Sequence, residues 1–149
     1  MAEITYLRDG RAPIPKNETI SKVMSANKGR NTSPELRFRK NLRKVGLRDY
    51  ELYPRALAGK PDIVFPKQKV AVFINGCFWH RCPSCNLKLP KTNVTFWRKK
   101  FKANVARDKR NISLLRRKGW HVAVIWECQL KKNIGAATAK VTRFHSQEI

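Results

Sequence analysis

The sequence predicts an α/β domain built on a mixed β-sheet flanked by helices, and three observations carry that reading. Two continuous apolar runs, at 70–74 and 122–126, have the character of strands buried on both faces, which helices must cover. Residues 93–118 repeat their apolar side chains at helical spacing. The patterns follow one another as α-β-β-β-α-β-α with no internal repeat, and 149 residues suffice for one core.

Each element has its own warrant. Residues 1–20 are basic and rich in turn formers and read as a flexible arm, a polar character that persists to about residue 32; the domain spans 21–149. Ser33-Pro34-Glu35 opens the first helix, with Ser33 expected as cap, Pro34 in the first turn and Glu35 against the positive end. Leu36, Leu42 and Val45 form its expected inward stripe, and Gly46 stops it. Strands are expected at 49–53 and 62–65, and Pro66-Lys67-Gln68 turns the second of them into an antiparallel partner at 70–74. The helix over 93–118, with a bend or break allowed near Asn104, turns Trp97, Phe101, Val105, Ile112 and Leu115 inward. Gly119 ends it, the last strand runs over 120–126, and Ile134, Ala137, Val141 and Phe144 mark a final helix.

Charge points to the partner. The chain has 33 Lys and Arg against 10 Asp and Glu, a formal net charge of +23, which calls for a polyanion, nucleic acid first. No apolar run approaches membrane-spanning length, and no basic segment is paired with a broad apolar face, so a membrane is not the expected partner. On the long helix, Lys100, Asn104, Arg107, Asn111 and Lys118 form a basic and amide stripe a quarter turn from the apolar face. That stripe suits DNA, with a merely solvated face as the plain alternative.

Three of the four cysteines, Cys77, Cys82 and Cys85, fall within ten residues, and Cys128 follows the last strand. The Cys82-x2-Cys85 spacing and the count of four suit one tetrahedral Zn²⁺ site. Unliganded thiols are the alternative; disulfides fit poorly, since no signal peptide opens the chain. Carboxylates are scarce, leaving Glu35, Asp62, Asp108 and Glu127 as candidates for metal or acid–base chemistry. Asp108 lies on the inward face of the long helix, either as partner to a buried Arg or as an active-site acid. Phe78 and Trp79 are adjacent in a tight loop, so at least one is expected to be exposed, whereas His121 and His145 carry no functional signal.

Pro61-Asp62 at the start of one hairpin strand matches the opening of the restriction-endonuclease-like PD-(D/E)xK arrangement, in which acids on two strands bind Mg²⁺. The second strand departs from it, ending Phe73-Ile74-Asn75-Gly76 with neither acid nor Lys. Taken with Met24-Ser25-Ala26, Gly59-Lys60-Pro61-Asp62, the run from Val72 through Cys77-Phe78-Trp79-His80, Lys88-Leu89-Pro90-Lys91-Thr92, Phe96-Trp97, Arg107-Asp108 and Ile125-Trp126-Glu127-Cys128, the sequence closely resembles the very short patch repair (Vsr) DNA mismatch endonucleases.

The resemblance implies a single-domain nuclease that nicks one strand of double-stranded DNA at T·G mismatches left by 5-methylcytosine deamination. It implies Asp62 as principal Mg²⁺ ligand, Ile74 contributing its backbone carbonyl, His80 at the phosphate or leaving group, and Glu35 and Asp108 as acids near the reaction centre. Cys77, Cys82, Cys85 and Cys128 would hold structural Zn²⁺; Phe78, Trp79 and Trp97 would wedge into the duplex; Met24, Lys100, Asn104 and Arg107 would contact DNA. The family often carries His where this chain has Asn75, and an amide cannot take a proton at neutral pH. Either His80 is the base, or metal-bound hydroxide attacks unaided, or activity is weak. The implied companions are a cytosine-5 DNA methyltransferase and mismatch-repair proteins, with the protein a monomer in the cytoplasm, associated with the nucleoid. The rival readings are a restriction-type or mismatch-indifferent nuclease on the same fold and a zinc-stabilised DNA-binding protein without catalysis.

Overall fold

The computed structural model describes residues 30–146, so the expected arm at 1–20 and Met24 lie outside the described residues. Helix α1 (Ser33–Lys44) is capped by Thr32, not by Ser33: Thr32 Oγ1 accepts the Glu35 amide at 3.4 Å, and Ser33 is already helical. That start sets the phase of the helix and corrects its inward stripe. Glu35, Phe38, Arg39 and Leu42 are buried, whereas Leu36 and Val45 are 49% and 53% exposed. Two polar side chains occupy places where aliphatic ones were expected, because they satisfy each other.

The sheet has the order β1-β2-β3-β4. Strand β1 (Glu51–Leu52) is shorter than the expected 49–53: Tyr53 enters the left-handed region at φ 49° and turns out of the strand conformation, although its amide still donates to the Asp62 carbonyl at 3.2 Å. Strands β2 (Ile63–Phe65) and β3 (Val70–Asn75) form the expected antiparallel hairpin, with Ile63 opposite Val72. Strand β4 (His121–Trp126) runs parallel to β3 in a register from Val70 opposite His121 to Asn75 opposite Trp126. Its crossover contains the short helix α2 (Cys77–His80) and the long helix α3 (Val94–Arg117). Helix α3 is continuous through Asn104, without a break. Helices α4 (Glu127–Lys132) and α5 (Ile134–His145) complete the described fold.

Helices therefore cover both faces, as the apolar strands require. On one face, Phe38 and Leu42 of α1, Leu130 of α4 and Val141 of α5 pack against Ile63, Phe65, Val72 and Ile125. On the other, Leu115 and Ile112 of α3 meet Val64, Ala71 and Val122. His121 stacks on Phe144 with ring centroids 5.2 Å apart, and His145 bonds the Asp49 carboxylate at 3.0 Å, so both histidines are accounted for structurally. Parallel pairing sends β3 and β4 toward the same end of the sheet. The candidate acids Glu35, Asp62, Asp108 and Glu127, together with Asn75, His80 and the four cysteines, gather there.

Candidate active site and cysteine cluster

A cleft of about 770 Å³ opens where β3 ends, bounded by the start of α1, the β2–β3 hairpin, α2 and one face of α3. Its lip passes Gly59, which has φ +75° and lies so close to α3 that a Cβ there would stand 2.9 Å from Asn111 Cβ. Glu35, Asp62, Asn75, His80, Asp108 and Glu127 all line the cleft, so the structure brings together residues spread over almost a hundred positions of sequence.

Asp62 sits just before β2, and its Oδ2 accepts the Ile74 amide across the hairpin at 2.7 Å. Burial pushes its carboxyl up to about 6, against the lowering effect of that amide, and the nearby Glu35 charge raises it further. The Ile74 amide is thereby committed to Asp62. On the facing wall, His80 Nδ1 and Asp108 Oδ2 are 2.6 Å apart, which fixes the ring between α2 and α3. Asp108 is thus paired with a histidine and not with a buried Arg. Asn75 is buried in the same wall.

Glu35 is held differently. Its Oε2 receives the Asn31 amide at 3.1 Å, Arg39 Nη2 at 3.1 Å and the Tyr53 hydroxyl. Arg39 also donates to Asn31 Oδ1 at 2.9 Å and to the Tyr53 oxygen at 2.6 Å. Glu35 and Arg39 are only 3% and 6% exposed, so this is a buried, countercharged network. Burial first, then the Glu35 carboxylate, push the Tyr53 phenol above its ordinary range. Sequence reasoning missed Tyr53, Arg39 and Asn31; only the i,i+4 spacing of Glu35 and Arg39 was there to be read.

Behind the cleft, the four cysteine sulfurs lie within 4.8 Å of one another, with Cys82 and Cys128 at 3.7 Å. A tetrahedral zinc–thiolate site with bonds of about 2.3 Å places its sulfurs ~3.8 Å apart, so the donor set and its spacing fit. Cys77 and Cys82 come from α2 and the turn after it, and Cys128 from the first turn of α4. The cluster therefore ties the ends of β3 and β4 together. Burial pushes the Cys77 thiol up to about 12, a cost that a cation would offset by taking the thiolate.

Phe78 and Trp79 on α2 pack edge-on at 5.1 Å, Phe78 meets Phe101 at 5.2 Å, and Trp97 stacks on Phe101 at 5.5 Å. Trp97 is buried; Phe78 and Trp79 are both half-buried, so neither is as exposed as the sequence suggested. Asn104 is only 7% exposed. Its Nδ2 donates to the Trp79 carbonyl at 3.1 Å and its Oδ1 accepts from Arg107, which anchors α2 on α3. Lys100 is half-buried and Arg107 exposed along the same flank.

A basic α/β scaffold with acids and a histidine in one cleft, beside a cysteine cluster, is the setting of a nucleic-acid enzyme, and comparison with known proteins bears on which kind. The chain belongs to the Vsr family of DNA mismatch endonucleases: the family model "DNA mismatch endonuclease Vsr" matches residues 14–87, and relatives aligned over 80% of the chain extend the match. It is 40% identical over 120 residues to a type II nicking enzyme of Xanthomonas oryzae pv. oryzae, covering 80% of this chain and 86% of the relative. It is 38% identical over 120 residues to the DNA mismatch endonuclease Vsr of Escherichia coli K12, covering 80% and 76%. A type II nicking enzyme of Neisseria meningitidis serogroup A is 44% identical over 110 residues, covering 73% and 77%. No helix among the described residues is long and apolar enough to cross a membrane.

Proposed function

We propose that this protein is an Mg²⁺-dependent endonuclease that nicks one strand of duplex DNA at a T·G mismatch and so opens a short repair tract. The observation that carries the reading is the Asp62 carboxylate, half-buried, held by one backbone amide and facing a cleft whose opposite wall is the His80–Asp108 pair. The hairpin-plus-parallel-strand sheet is compatible with a PD-(D/E)xK-type core, and we assign the chain to that fold group, with residues 21–149 as the nuclease domain and 1–20 as a basic arm.

Asp62 and the Ile74 carbonyl, both hard oxygen donors, would hold Mg²⁺, which when bound polarises the scissile phosphate and lowers the pKa of water. Asp62 stays oriented because the Ile74 amide fixes one of its oxygens. His80 presents its other ring nitrogen while Asp108 holds Nδ1, an arrangement suited to proton transfer at the phosphate or leaving oxygen. Glu35 keeps a charged oxygen clear of the three bonds made by Oε2, suited to orienting water. Asn75 positions by hydrogen bonding and takes no proton. Cys77, Cys82, Cys85 and Cys128 would hold structural Zn²⁺, fixing α2 and with it His80, Phe78 and Trp79.

Phe78 and Trp79, backed by Trp97, are assigned to the duplex at the mispair, where unstacking costs least. Lys100 and Arg107 are assigned to DNA with them; Asn104 serves chiefly by holding Trp79. Met24 and a cytosine-5 DNA methyltransferase, as the source of the lesion's context, complete the proposal, together with mismatch-repair partners, a monomeric state and a place on the nucleoid. The type II nicking enzymes among the relatives favour a second reading, nicking directed by flanking sequence with little regard to mispairing. Nicking of matched T·A and mismatched T·G duplexes, with and without Mg²⁺, tests both: equal rates on the two duplexes would select the second reading, and no nicking on either would leave a DNA-binding protein without catalysis.

A further inference from the structure

Helix α3 has two basic flanks, one on each side of its buried face, and only the Lys100–Arg107 flank is used above. The other is formed by Arg98, Lys102, Lys109 and Arg116, all exposed, at positions i, i+4, i+11 and i+18. At about 1.5 Å per residue it runs for ~27 Å along the helix. The helix carries a single acid, Asp108, and that carboxylate is turned into the cleft on His80. Among the described residues, none of these four cations has an ion-pair partner.

A second element converges on the same flank. Arg81 follows α2 in a left-handed conformation at φ 54°, which brings its guanidinium over the Phe101 ring at 4.3 Å. Its Nη1 is buried without a hydrogen-bond partner. Arg81, Lys102 and Lys109 rim an open concavity of about 420 Å³ floored by Phe101 and Val105. The Phe101 ring and donation from Nη2 to the Leu87 carbonyl hold this guanidinium in place, a fixed cation from a second element at the edge of an apolar floor. Cations on the rim and carbon at the base match alternating phosphate and deoxyribose.

We propose that Arg81, Arg98, Lys102, Lys109 and Arg116 form a second nucleic-acid contact, holding the sugar–phosphate backbone of duplex DNA outside the catalytic cleft. The inference rests on the DNA-endonuclease reading but not on mismatch preference or on catalysis. Contacts of this kind set affinity and position and carry no sequence information.

The test is the salt dependence of binding to a short, fully paired duplex, followed by anisotropy without added divalent metal. The logarithm of the affinity falls with the logarithm of salt at about 0.9 per phosphate contact in B-DNA. Lys102→Gln/Lys109→Gln is expected to lower that slope by about 1.8 and to weaken paired and mismatched duplexes by the same factor. Lys132→Gln/Arg143→Gln removes the same charge from exposed positions on α4 and α5, across the sheet from α3, and is expected to leave the slope unchanged. Arg81→Ala is expected to lower the slope by about 0.9, with a circular-dichroism melt showing that the fold is retained. An unchanged slope in the Lys102/Lys109 variant, or equal falls in that variant and the α4/α5 control, would overturn the proposal. Absence of any salt-dependent binding by the unsubstituted protein would overturn the DNA-endonuclease reading as well.

Discussion

The α1 wall and the hairpin wall of the cleft hold their acids by opposite means. Glu35 is matched by a buried guanidinium, a phenol and a backbone amide, so its charge is met within the protein. Asp62 has one amide donor and, among the described residues, no cation in ion-pair contact, and burial pushes its carboxyl up to about 6. The difference teaches which wall can receive something. A network that meets its charge internally fixes shape, whereas an undercompensated carboxylate is stabilised by an incoming cation. One wall is scaffold with a catalytic edge, and the other is the receiving site.

The largest effect should come from emptying the receiving wall. Asp62→Ala is expected to bring nicking below detection while duplex affinity stays close to normal; near-normal nicking would put the active centre elsewhere. Next, Arg39→Met removes the countercharge of Glu35 and is expected to cost about 3–5 kcal/mol in denaturant unfolding, because it strands a buried carboxylate. Loss of under 1 kcal/mol would mean that Glu35 is hydrated and the walls are alike. His80→Ala should slow nicking at least ~10²-fold, about 2.7 kcal/mol of barrier, and Asn75→Ala should slow it less. The reverse ranking would mean that the amide positions water and the histidine is dispensable. Tyr53→Phe withdraws one of three donors from Glu35 and should cost about 1–3 kcal/mol of stability, less than Arg39→Met.

The last effect is expected to be smaller, and its sign decides the comparison. In folded protein without added Mg²⁺, the raised Asp62 value means that folding favours the protonated acid. Its charge therefore costs stability above about 6, and this cost fades as pH falls toward the ordinary 3.8. Asp62→Asn should raise the melting temperature at pH 7–8 and lose that advantage near pH 4. A variant less stable than the parent at neutral pH would show that Asp62 is compensated as fully as Glu35.

How far these walls could be read from sequence depends on how local their causes are. The β2–β3 hairpin was legible because two apolar runs flank a Pro-containing turn, and Asp62 was legible because it stands at the start of that hairpin. The four cysteines were legible by count and spacing, and the structure gathers them. The Thr32 cap and the phase of α1 were not, because Ser33 and Thr32 are equally good caps and one residue of shift moves every side chain by 100°. Tyr53 was invisible as a partner of Glu35, since 18 residues and a left-handed turn separate them in the chain. Asn104 was placed on a DNA-facing stripe by its polarity and spacing, yet the Trp79 carbonyl, 25 residues away, draws it inward. The second flank of α3 was passed over because a helix with basic residues on both sides offers two stripes of the same period, and periodicity cannot rank them.

The parallel pairing of β3 and β4 also divides the molecule for an engineer. Both strands spend their C-terminal ends on the cleft and the cysteine cluster, so the opposite ends are left to simple connectivity. The connection between β2 and β3, with Pro66, Lys67 and Lys69 exposed, lies at that far edge. A peptide tag or a whole folded cargo inserted at Lys67 has solvent to occupy, at the end of the sheet away from the cleft and the cysteine cluster. The same polarity makes the nuclease a candidate for internal fusion, with the attached domain carried on the side of the sheet edge away from its chemistry.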